Sequence, residues 1–344
     1  MIQAKQHLDS MDKNKLAVVL GATGGQGGSV VTALLKAGHY NIRAVTRNPH
    51  SKDAQMLGNR GVDVVGADLD NVESLVHAFE NANVIFAVTK MYAGRVDQEV
   101  AQGKHVADAA SGTKTLEHLI WSTLPSASTV SAGRWPVPHM DGKAEVDDYI
   151  INCLPALARK TTFFWGGFYA ENVLYPNFSP NLLATAEKHV WVQPVDQHTP
   201  IPMVGDHNIN VGIFVERVFS RPEICLPMKY VLGVTEWITN GELLNLWTKI
   251  VGEVQDKAMD TVYIKSDLDT VDLLWPEMGR EHGLLLKVLE KMGKDAWTKK
   301  GVDLITSQDL GLEVGKSRSG LVSLELTFKK MSLNLESCKD WPRE

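Results

Sequence analysis

The sequence predicts an α/β protein built on a Rossmann-type, doubly wound parallel sheet. Short apolar segments alternate with segments of helical periodicity from Leu16 to residue 123, as in sheets whose strands are buried on both faces. A glycine-rich segment, "GATGGQGG", joins the first apolar segment to the first helical one. Beyond residue 155 the alternation weakens, so a smaller, mostly C-terminal lobe is expected to complete the fold.

Each element of the alternation follows from its own pattern. The first strand is predicted at "LAVVLGA" and the first helix at "GSVVTALLKAG", which ends at Gly38, a residue suited to a C-terminal cap. Next in order come the strands "NIRAVTR" and "VDVVGAD", the helix "NVESLVHAFEN", the strand "NVIFAVT", the helix "RVDQEVAQGKHVADAASG" and the strand "LEHLIWST". A further helix is predicted at "PHMDGKAEVDDYI", where His139 and Lys143 lie one turn apart on the same face.

Composition excludes several classes of protein. The 344 residues carry a net charge of −6, which argues against direct nucleic-acid binding because a phosphate-binding surface needs excess Lys and Arg. Three cysteines without a CxxC pattern indicate neither a disulfide framework nor a zinc site, and no metal is expected. No segment approaches the roughly 18 apolar residues of a membrane helix. We therefore expect a cytoplasmic protein, or a partly nuclear one, with no membrane contact.

The glycine-rich segment indicates a dinucleotide site. Gly21, Gly24 and Gly27 give the spacing GxxGxxG between a predicted strand and a predicted helix. Glycines there permit a tight turn and let the backbone approach a pyrophosphate at the helix N-terminus. Thr23 and Gln26 belong to the same candidate site.

The end of the second strand favours NADP(H) over NAD(H). NAD-binding proteins tend to carry an acidic residue about 20 residues past the glycines, whereas this chain has Thr46 and Arg47. An arginine suits a 2′-phosphate, although a plain surface arginine is the alternative. Asp68, after the third strand, either contacts the adenine or caps the next helix.

The predicted domains follow from this site. Residues 1–15 are expected to be a disordered leader, residues 16–165 an NAD(P)-binding Rossmann domain, and residues 166–344 a smaller substrate lobe with some segments returning to the sheet.

The first 150 residues resemble the NmrA-like family, atypical members of the short-chain dehydrogenase/reductase superfamily. The resemblance rests on the segments "GATGGQGGSV", "RAVTRNP", "VVGADLD", "EVAQGKHVADAA", "HLIWSTL" and "PHMDGKAEVDDYI", and "GGFYAENV" continues it. It implies a Rossmann-type fold with a dinucleotide above the carboxyl ends of the strands. Some relatives are redox-sensing regulators that bind NAD(P) and a protein partner. Others, such as the isoflavone and phenylcoumaran benzylic ether reductases, are NADPH-dependent enzymes, and fungal relatives occur in secondary metabolism.

The resemblance also suggests catalytic residues. Lys143 falls on the lysine that acts as general acid/base in the reductases, and a non-catalytic relative would still use this lysine to contact the cofactor ribose. Typical short-chain dehydrogenases use Ser, Tyr and Lys; here Ser122 lies at the serine position and His139 at the tyrosine position. His139 is either a proton donor or a structural residue of the helix start, and Tyr169 is a substitute donor. Thr89 and Lys90, after the fourth strand, are expected on the nicotinamide side.

Aromatic residues indicate the substrate. Trp135, Trp165, Phe168 and Tyr169 lie near the expected mouth of the cleft and suit a small apolar or aromatic compound. Core packing is the alternative.

Two functions therefore remain open. One is an NADPH-dependent reductase of an apolar carbonyl, imine or conjugated substrate, and the other is a non-catalytic NAD(P) redox sensor that regulates a protein partner such as a transcription factor.

Overall fold

The computed structural model describes residues 15–90, 94–276, 278–315 and 321–335, the last four of these by backbone alone. Apart from residue 15, the predicted leader lies outside the described residues. None of the helices described is long and apolar enough to cross a membrane.

The strands of the described residues form one large and two small sheets. In chain order they are β1 (Leu16–Leu20), β2 (Asn41–Thr46), β3 (Asp63–Gly66), β4 (Val84–Ala87), β5 (His118–Thr123), β6 (Thr161–Gly166), β7 (Phe168–Tyr169), β8 (Asn181–Leu183), β9 (Lys188–Gln193), β10 (Pro200–Gly205), β11 (Lys229–Gly233), β12 (Glu236–Thr239), β13 (Thr261–Lys265) and β14 (Leu304–Ile305).

The helices lie mainly between these strands. In chain order they are α1 (Gly25–Ala37), α2 (Lys52–Gly58), α3 (Val72–Ala78), α4 (Val96–Gly112), α5 (Ala127–Val130), α6 (Pro138–Cys153), α7 (Pro155–Ala158), α8 (Asn210–Ser220), α9 (Pro222–Cys225), α10 (Asn240–Gln255), α11 (Leu268–Leu274), α12 (Gly279–Met292) and α13 (Leu324–Leu335). Short 3₁₀ segments follow β7, β8 and α12.

The large sheet has the order β14-β11-β6-β5-β4-β1-β2-β3, and every neighbouring pair is parallel. The chain first moves outward from β1 to β3 and then returns to the other side of β1 at β4. The order therefore reverses between β1 and β4, which opens a crevice at the carboxyl ends of these two strands. The predicted Rossmann-type sheet is confirmed.

Alternate side chains of each central strand enter two cores, one on each face of the sheet. Along β1, Val18 and Leu20 join one core, and Ala17 and Val19 join the other. This is why the strand carries an apolar residue at every position.

The C-terminal half contributes to both the large sheet and two small sheets. β11 and β14 extend the large sheet, while β12-β10-β7 and β13-β9-β8 form the three-stranded sheets. The proposed division at residue 165 stays a prediction.

Candidate functional site

The crevice at the carboxyl ends of β1 and β4 brings the glycine loop together with the ends of the central strands. The loop from Gly21 to Gly24 leaves β1, and Thr89 follows β4. Ser122 lies at the end of β5, beside β4 in the sheet. Residues that are far apart in the chain thus line one edge of the sheet, as the sequence predicts.

Close packing within the loop explains its glycines. Gly21 has a φ of +63°, which favours glycine. A Cβ on Gly27 would overlap the carbonyl group of Gly21, and one on Gly24 would lie 3.3 Å from the same oxygen. The loop therefore folds back on itself, and the Gly24 amide donates to the Gly21 carbonyl over 2.8 Å.

The first turn of α1 lacks a side-chain cap. Gly24 is the N-cap residue, and no side chain accepts a hydrogen bond from the amides that follow it. Amide donors at a helix start bind an anion when nothing else satisfies them. The glycine loop and α1 therefore have the geometry of a phosphate site.

A chain of hydrogen bonds runs from β5 through the glycine loop to β7. The Ser122 hydroxyl donates to Oε1 of Gln26 over 2.8 Å, and Nε2 of Gln26 donates to the Tyr169 hydroxyl. Since Gln26 is the donor in the second bond, the hydroxyl hydrogen of Tyr169 is not used in it. Burial, with a smaller contribution from the charge of Glu171, raises the pKa of Tyr169, so its phenol stays protonated.

His207 covers the start of α1 next to this chain. Its ring stacks on Tyr169 with a centroid distance of 4.2 Å, and it occupies the space that a Cβ on Gly25 would fill. Nδ1 of His207 lies 2.8 Å from Oε2 of Glu171, although at an angle too oblique for a hydrogen bond. Burial raises the pKa of Glu171, but its interactions with His207 outweigh burial and bring the pKa below the ordinary value.

Lys143 is held by a buried carboxylate. Its Nζ lies 2.8 Å from Oε1 of Glu99, 3.0 Å from Oγ1 of Thr89 and 3.3 Å from the Thr89 carbonyl oxygen. The Thr89 hydroxyl donates to the same Glu99 oxygen over 2.8 Å. The side chains of Lys143 and Glu99 are only 12% and 3% exposed. Nζ of Lys143 thus makes two hydrogen bonds, both to Thr89, and an ion pair with Glu99.

His139 turns to the C-terminal lobe. Its Nδ1 lies 2.6 Å from Oε1 of Glu281 on α12, and its backbone amide donates to the same oxygen over 3.0 Å. Burial raises the pKa of Glu281, but the hydrogen bonds and charge of His139 more than compensate and lower it. His139 and Lys143 share a face of α6, as predicted, yet they bind different partners.

The predicted adenosine side of the site lies on exposed turns. The hydroxyl of Thr46 is 3.3 Å from that of Thr23 in the glycine loop, and the exposed Arg47 follows it. The Asp68 carboxylate accepts from the Asp70 amide, while Asn71 is the N-cap of α3, so Asp68 does not cap that helix. Lys90 is exposed and directly precedes residues 91–93, which lie outside the described residues.

The aromatic residues divide between the core and a cavity. Trp165 is buried against Tyr230, with ring centroids 4.9 Å apart, which corrects the expectation that it faces a substrate: its strand lies inside the large sheet. Trp135 is partly buried under the guanidinium of Arg134, 4.5 Å from its ring centroid. Phe168 and Tyr169 line a small cavity of the C-terminal half.

Four residues that the structure brings to these sites are not among those predicted from the sequence: Glu99, Glu281, His207 and His282. Glu99 is the acid on the otherwise apolar face of α4 that also carries Gly103, Val106 and Ala110, a pattern that can be recognised in the sequence. Glu281, His207 and His282 have no comparable signal, because their partners come from distant segments.

The fold and the glycine loop define a Rossmann-type α/β protein with a phosphate-binding geometry at its crevice. The sequence pattern of the NmrA-like family matches residues 13–284, so the chain belongs to the NmrA-like family, as its sequence suggests.

Relatives within this family carry two kinds of description. An NmrA-like oxidoreductase from Aspergillus japonicus is 26% identical over 255 residues, which cover 70% of this chain and 74% of that protein. The nitrogen metabolite repression protein of Emericella nidulans is 30% identical over 215 residues, covering 60% of this chain and 57% of that protein.

Solved structures share the fold. NmrA, a negative transcriptional regulator crystallised with NAD, gives a TM-score of 0.73 at 22% identity and covers 96% of this chain and 99% of its own. The triphenylmethane reductase of Citrobacter sp., complexed with NADP(H), gives 0.65 at 20% identity and covers 92% and 99%. At these identities the likeness shows the fold alone.

Proposed function

We propose that this protein is an NADPH-dependent reductase of an apolar carbonyl, imine or conjugated substrate. The observation that carries the proposal is the position of the Tyr169 hydroxyl, which Gln26 links to Ser122 beside the glycine loop. Such a reduction delivers a proton as well as a hydride, so it needs an acid at the carboxyl edge of the sheet. Tyr169 supplies a phenol there, in a chain that has His139 at the usual tyrosine position.

The glycine loop fits a dinucleotide. The first turn of α1 has no side-chain cap, so amide groups at this helix start can donate to a pyrophosphate. The reduced cofactor supplies the hydride when it is bound. The residues proposed to hold it are Gly21, Thr23, Gly24, Gln26 and Gly27 on the loop, Arg47 and Asp68 on the adenosine side, and Thr89, Lys90, Ser122 and Lys143 on the nicotinamide side.

Arg47 supports a preference for NADP(H). It follows β2 directly and is exposed, and Thr46 before it lies 3.3 Å from Thr23 of the glycine loop. A guanidinium at this edge binds a 2′-phosphate through paired hydrogen bonds. The residues at the end of β2 include no carboxylate that would repel this phosphate.

Tyr169 is proposed as the proton donor. Its pKa is raised by burial, so it is neutral at physiological pH, and its own hydrogen is not used in the bond from Gln26. His207 stacks on its ring and fixes its orientation. Lys143 is proposed to contact the cofactor and not to donate the proton, because Glu99 pairs with its charge.

The named relatives support the reductase. Several are described as oxidoreductases, including fungal ones, and the Citrobacter reductase was solved with NADP(H). We extend this description to a role in secondary metabolism.

NADPH oxidation by the full chain, measured against a panel of apolar ketones, imines and conjugated compounds, tests the proposal. We expect substrate-dependent oxidation, and at the same NADPH concentration the Gly27→Ala variant should be slower because it binds the cofactor more weakly. Absence of oxidation with every member of the panel would overturn the reductase assignment.

A second function is favoured by the two ion pairs on α6. Lys143 is bound to Glu99 and His139 to Glu281, so both members of the predicted pair have carboxylate partners. A regulator that binds NAD(P) and a protein partner needs no proton donor. The name of the relative from Emericella nidulans points in the same direction.

A comparison of affinities separates the two functions. A redox sensor must bind oxidised and reduced cofactor with different affinities, since a ligand with equal affinity for two states shifts nothing. Titration of the chain with NADP⁺ and with NADPH measures this. Equal dissociation constants would exclude the sensor, and a large difference without any turnover would favour it over the reductase.

A further inference from the structure

His207 lies against the first turn of α1. A Cβ on Gly25 would overlap Nε2 and Cδ2 of His207, so this edge of the imidazole ring occupies the place of a side chain. Gly25 is the first residue of α1, directly after the N-cap residue Gly24. Its φ is not positive, so no turn requires a glycine here. The missing side chain instead allows the close approach of His207.

The loop between β10 and α8 fixes the position of His207. The Asp206 carboxylate accepts from the Asn208 amide over 3.0 Å, and Nδ2 of Asn208 donates to Oε1 of Glu171 over 2.8 Å. The His207 ring is nearly parallel to that of Tyr169, with an angle of 9° between the two planes. These contacts within the protein hold the ring in one orientation, so a ligand would meet a preformed group.

The two ring nitrogens of His207 have different surroundings. Nδ1 is buried and lies 2.8 Å from Oε2 of Glu171. A carboxylate oxygen this close to the nitrogen repels a lone pair, so Nδ1 carries a hydrogen. Nε2 then has a lone pair in the neutral ring and an N–H group in the charged ring. No hydrogen bond within the described part of the chain uses Nε2, which lies at the edge of the ring next to Gly25.

The start of α1 has a positive partial charge that its own residues do not balance. Its first turn, residues 25–28, contains no titratable residue and no side-chain cap. The unpaired amides and the helix dipole favour an anion at such a position. Glu171 balances the charge of His207 at Nδ1, but the first turn provides no anion at Nε2. The amides and Nε2 are therefore donors at one helix start, the donor set of an anion site.

We infer that His207 in its charged form donates a hydrogen bond from Nε2 to the pyrophosphate of the cofactor. The inference rests on the proposed function, which assigns the pyrophosphate to the amides of α1. His207 is then a cofactor-binding residue that the C-terminal half of the chain supplies. Because a histidine ordinarily titrates at a pH of about 6.5, cofactor binding should strengthen as the pH falls through this range.

The other titratable groups around the ring lie on several elements. Burial raises the pKa of Tyr169 on β7, so its phenol does not titrate in this range. Burial also raises the pKa of Glu171, but its interactions with His207 outweigh burial and bring this pKa below the ordinary value. Burial, and next the contact with Glu171, raises the pKa of Asp206, and Lys330 of α13 lies 3.3 Å from its Oδ2. All these groups remain when His207 alone is replaced.

Fluorescence titration of the full chain with NADPH, at about pH 6 and at about pH 9, tests the inference. His207→Phe keeps a ring that can stack on Tyr169 and fill the space at Gly25, but it has no N–H group. We expect it to bind NADPH about tenfold more weakly than the wild type at the lower pH, the effect of one hydrogen bond from a charged donor. The difference should shrink at the higher pH, where a histidine is neutral. His77→Phe replaces an exposed histidine and should bind like the wild type at both pH values.

A second variant keeps the test independent of the fold of His207→Phe, which circular dichroism checks. His207→Gln has a neutral N–H donor, so the pH dependence of its NADPH affinity should match that of His207→Phe. Equal affinities of the wild type and both variants at the lower pH would overturn the inference and leave the cofactor site in place. A difference that stays constant between the two pH values would overturn it as well, because the charge of the ring would then have no effect.

These outcomes are separate from the test of the proposed function. The predicted difference without substrate-dependent NADPH oxidation would retain His207 as a cofactor-binding residue and remove the reductase function. A wild type that binds no NADPH at either pH would overturn both.

Discussion

Nζ of Lys143 lies 2.8 Å from Oε1 of Glu99, and both side chains are buried beneath the edge of the sheet. The lysine that the family resemblance selects is therefore half of an ion pair, and Thr89 connects the two charges. The other oxygen of Glu99 has no partner among the described residues. The carboxylate thus depends on Lys143 and Thr89.

Lys143→Met should lower the free energy of unfolding by about 3–5 kcal/mol, because it leaves the Glu99 carboxylate buried without its counter-charge. Urea unfolding measures the change. The double variant Lys143→Met, Glu99→Leu should regain much of the loss, since neither charge remains. Lys15→Met removes an exposed ion pair with Glu117 and should cost about 1 kcal/mol or less. If Lys143→Met lowered the free energy of unfolding by no more than Lys15→Met does, the ion pair of Lys143 with Glu99 would contribute little to stability.

Glu281→Gln should lower stability at neutral pH and lose its effect in acid. Interactions with His139 hold the folded-state pKa of Glu281 below its ordinary value of 4.5. A lowered carboxyl pKa stabilises the folded state above pH 4.5, and this contribution disappears as the pH falls through the folded value. Unfolding free energies of both proteins from about pH 6 to about pH 3 should converge at the acid end. A gap that is constant with pH would exclude this role.

His282→Phe should stabilise the protein by about 1 kcal/mol or more at neutral pH, since it removes two unpaired buried nitrogens. The gain should grow in acid. The folded-state pKa of His282 is about 3 against an ordinary value of 6.5, so the unfolded chain binds a proton that the folded chain rejects between these values. Thermal unfolding at a series of pH values measures both effects. Destabilisation at neutral pH would mean that the nitrogens have partners.

Gly27→Ala should weaken NADPH binding by tenfold or more, on the order of 1.4 kcal/mol. Its Cβ would overlap the Gly21 carbonyl group and push the loop away from the pyrophosphate position. Fluorescence titration with NADPH measures the affinity, and circular dichroism checks the fold. A Cβ at Gly112 meets no atom within 4 Å, so Gly112→Ala is the matched control and should bind normally. Equal affinity of the two variants would place the cofactor elsewhere.

The sequence predicts the Rossmann-type half well because its signals are local. Each apolar strand and the glycine loop has its own local pattern, and these elements follow one another along the chain. Each of them can therefore be recognised without knowledge of the others. The helix from Lys52 to Gly58 was not among the predicted elements, since it is short and its first turn is polar. The strands Lys229–Gly233 and Leu304–Ile305 join the same sheet across long insertions, and no local pattern indicates where a strand will pair.

The site was predicted less completely for a related reason. The sequence predicts Lys143, His139 and Tyr169 as site residues. It also predicts that Lys143 and His139 lie on the same face of one helix. It did not supply their partners Glu99, Glu281 and His207, which come from other elements of the chain. Charged residues in the first turn of a helix, such as Glu99, usually face solvent and interact with the helix dipole, so only the apolar face of its helix indicates that Glu99 is buried.

The most direct test of the proposed function compares Tyr169→Phe with the wild type, using the best substrate of the panel and saturating NADPH. This substitution removes the hydroxyl group and keeps the ring that stacks on His207. If Tyr169 donates the proton, kcat should fall by about 10²–10⁴-fold while the dissociation constant for NADPH stays the same. A variant that turns over at the wild-type rate would contradict the assignment of Tyr169 as the proton donor.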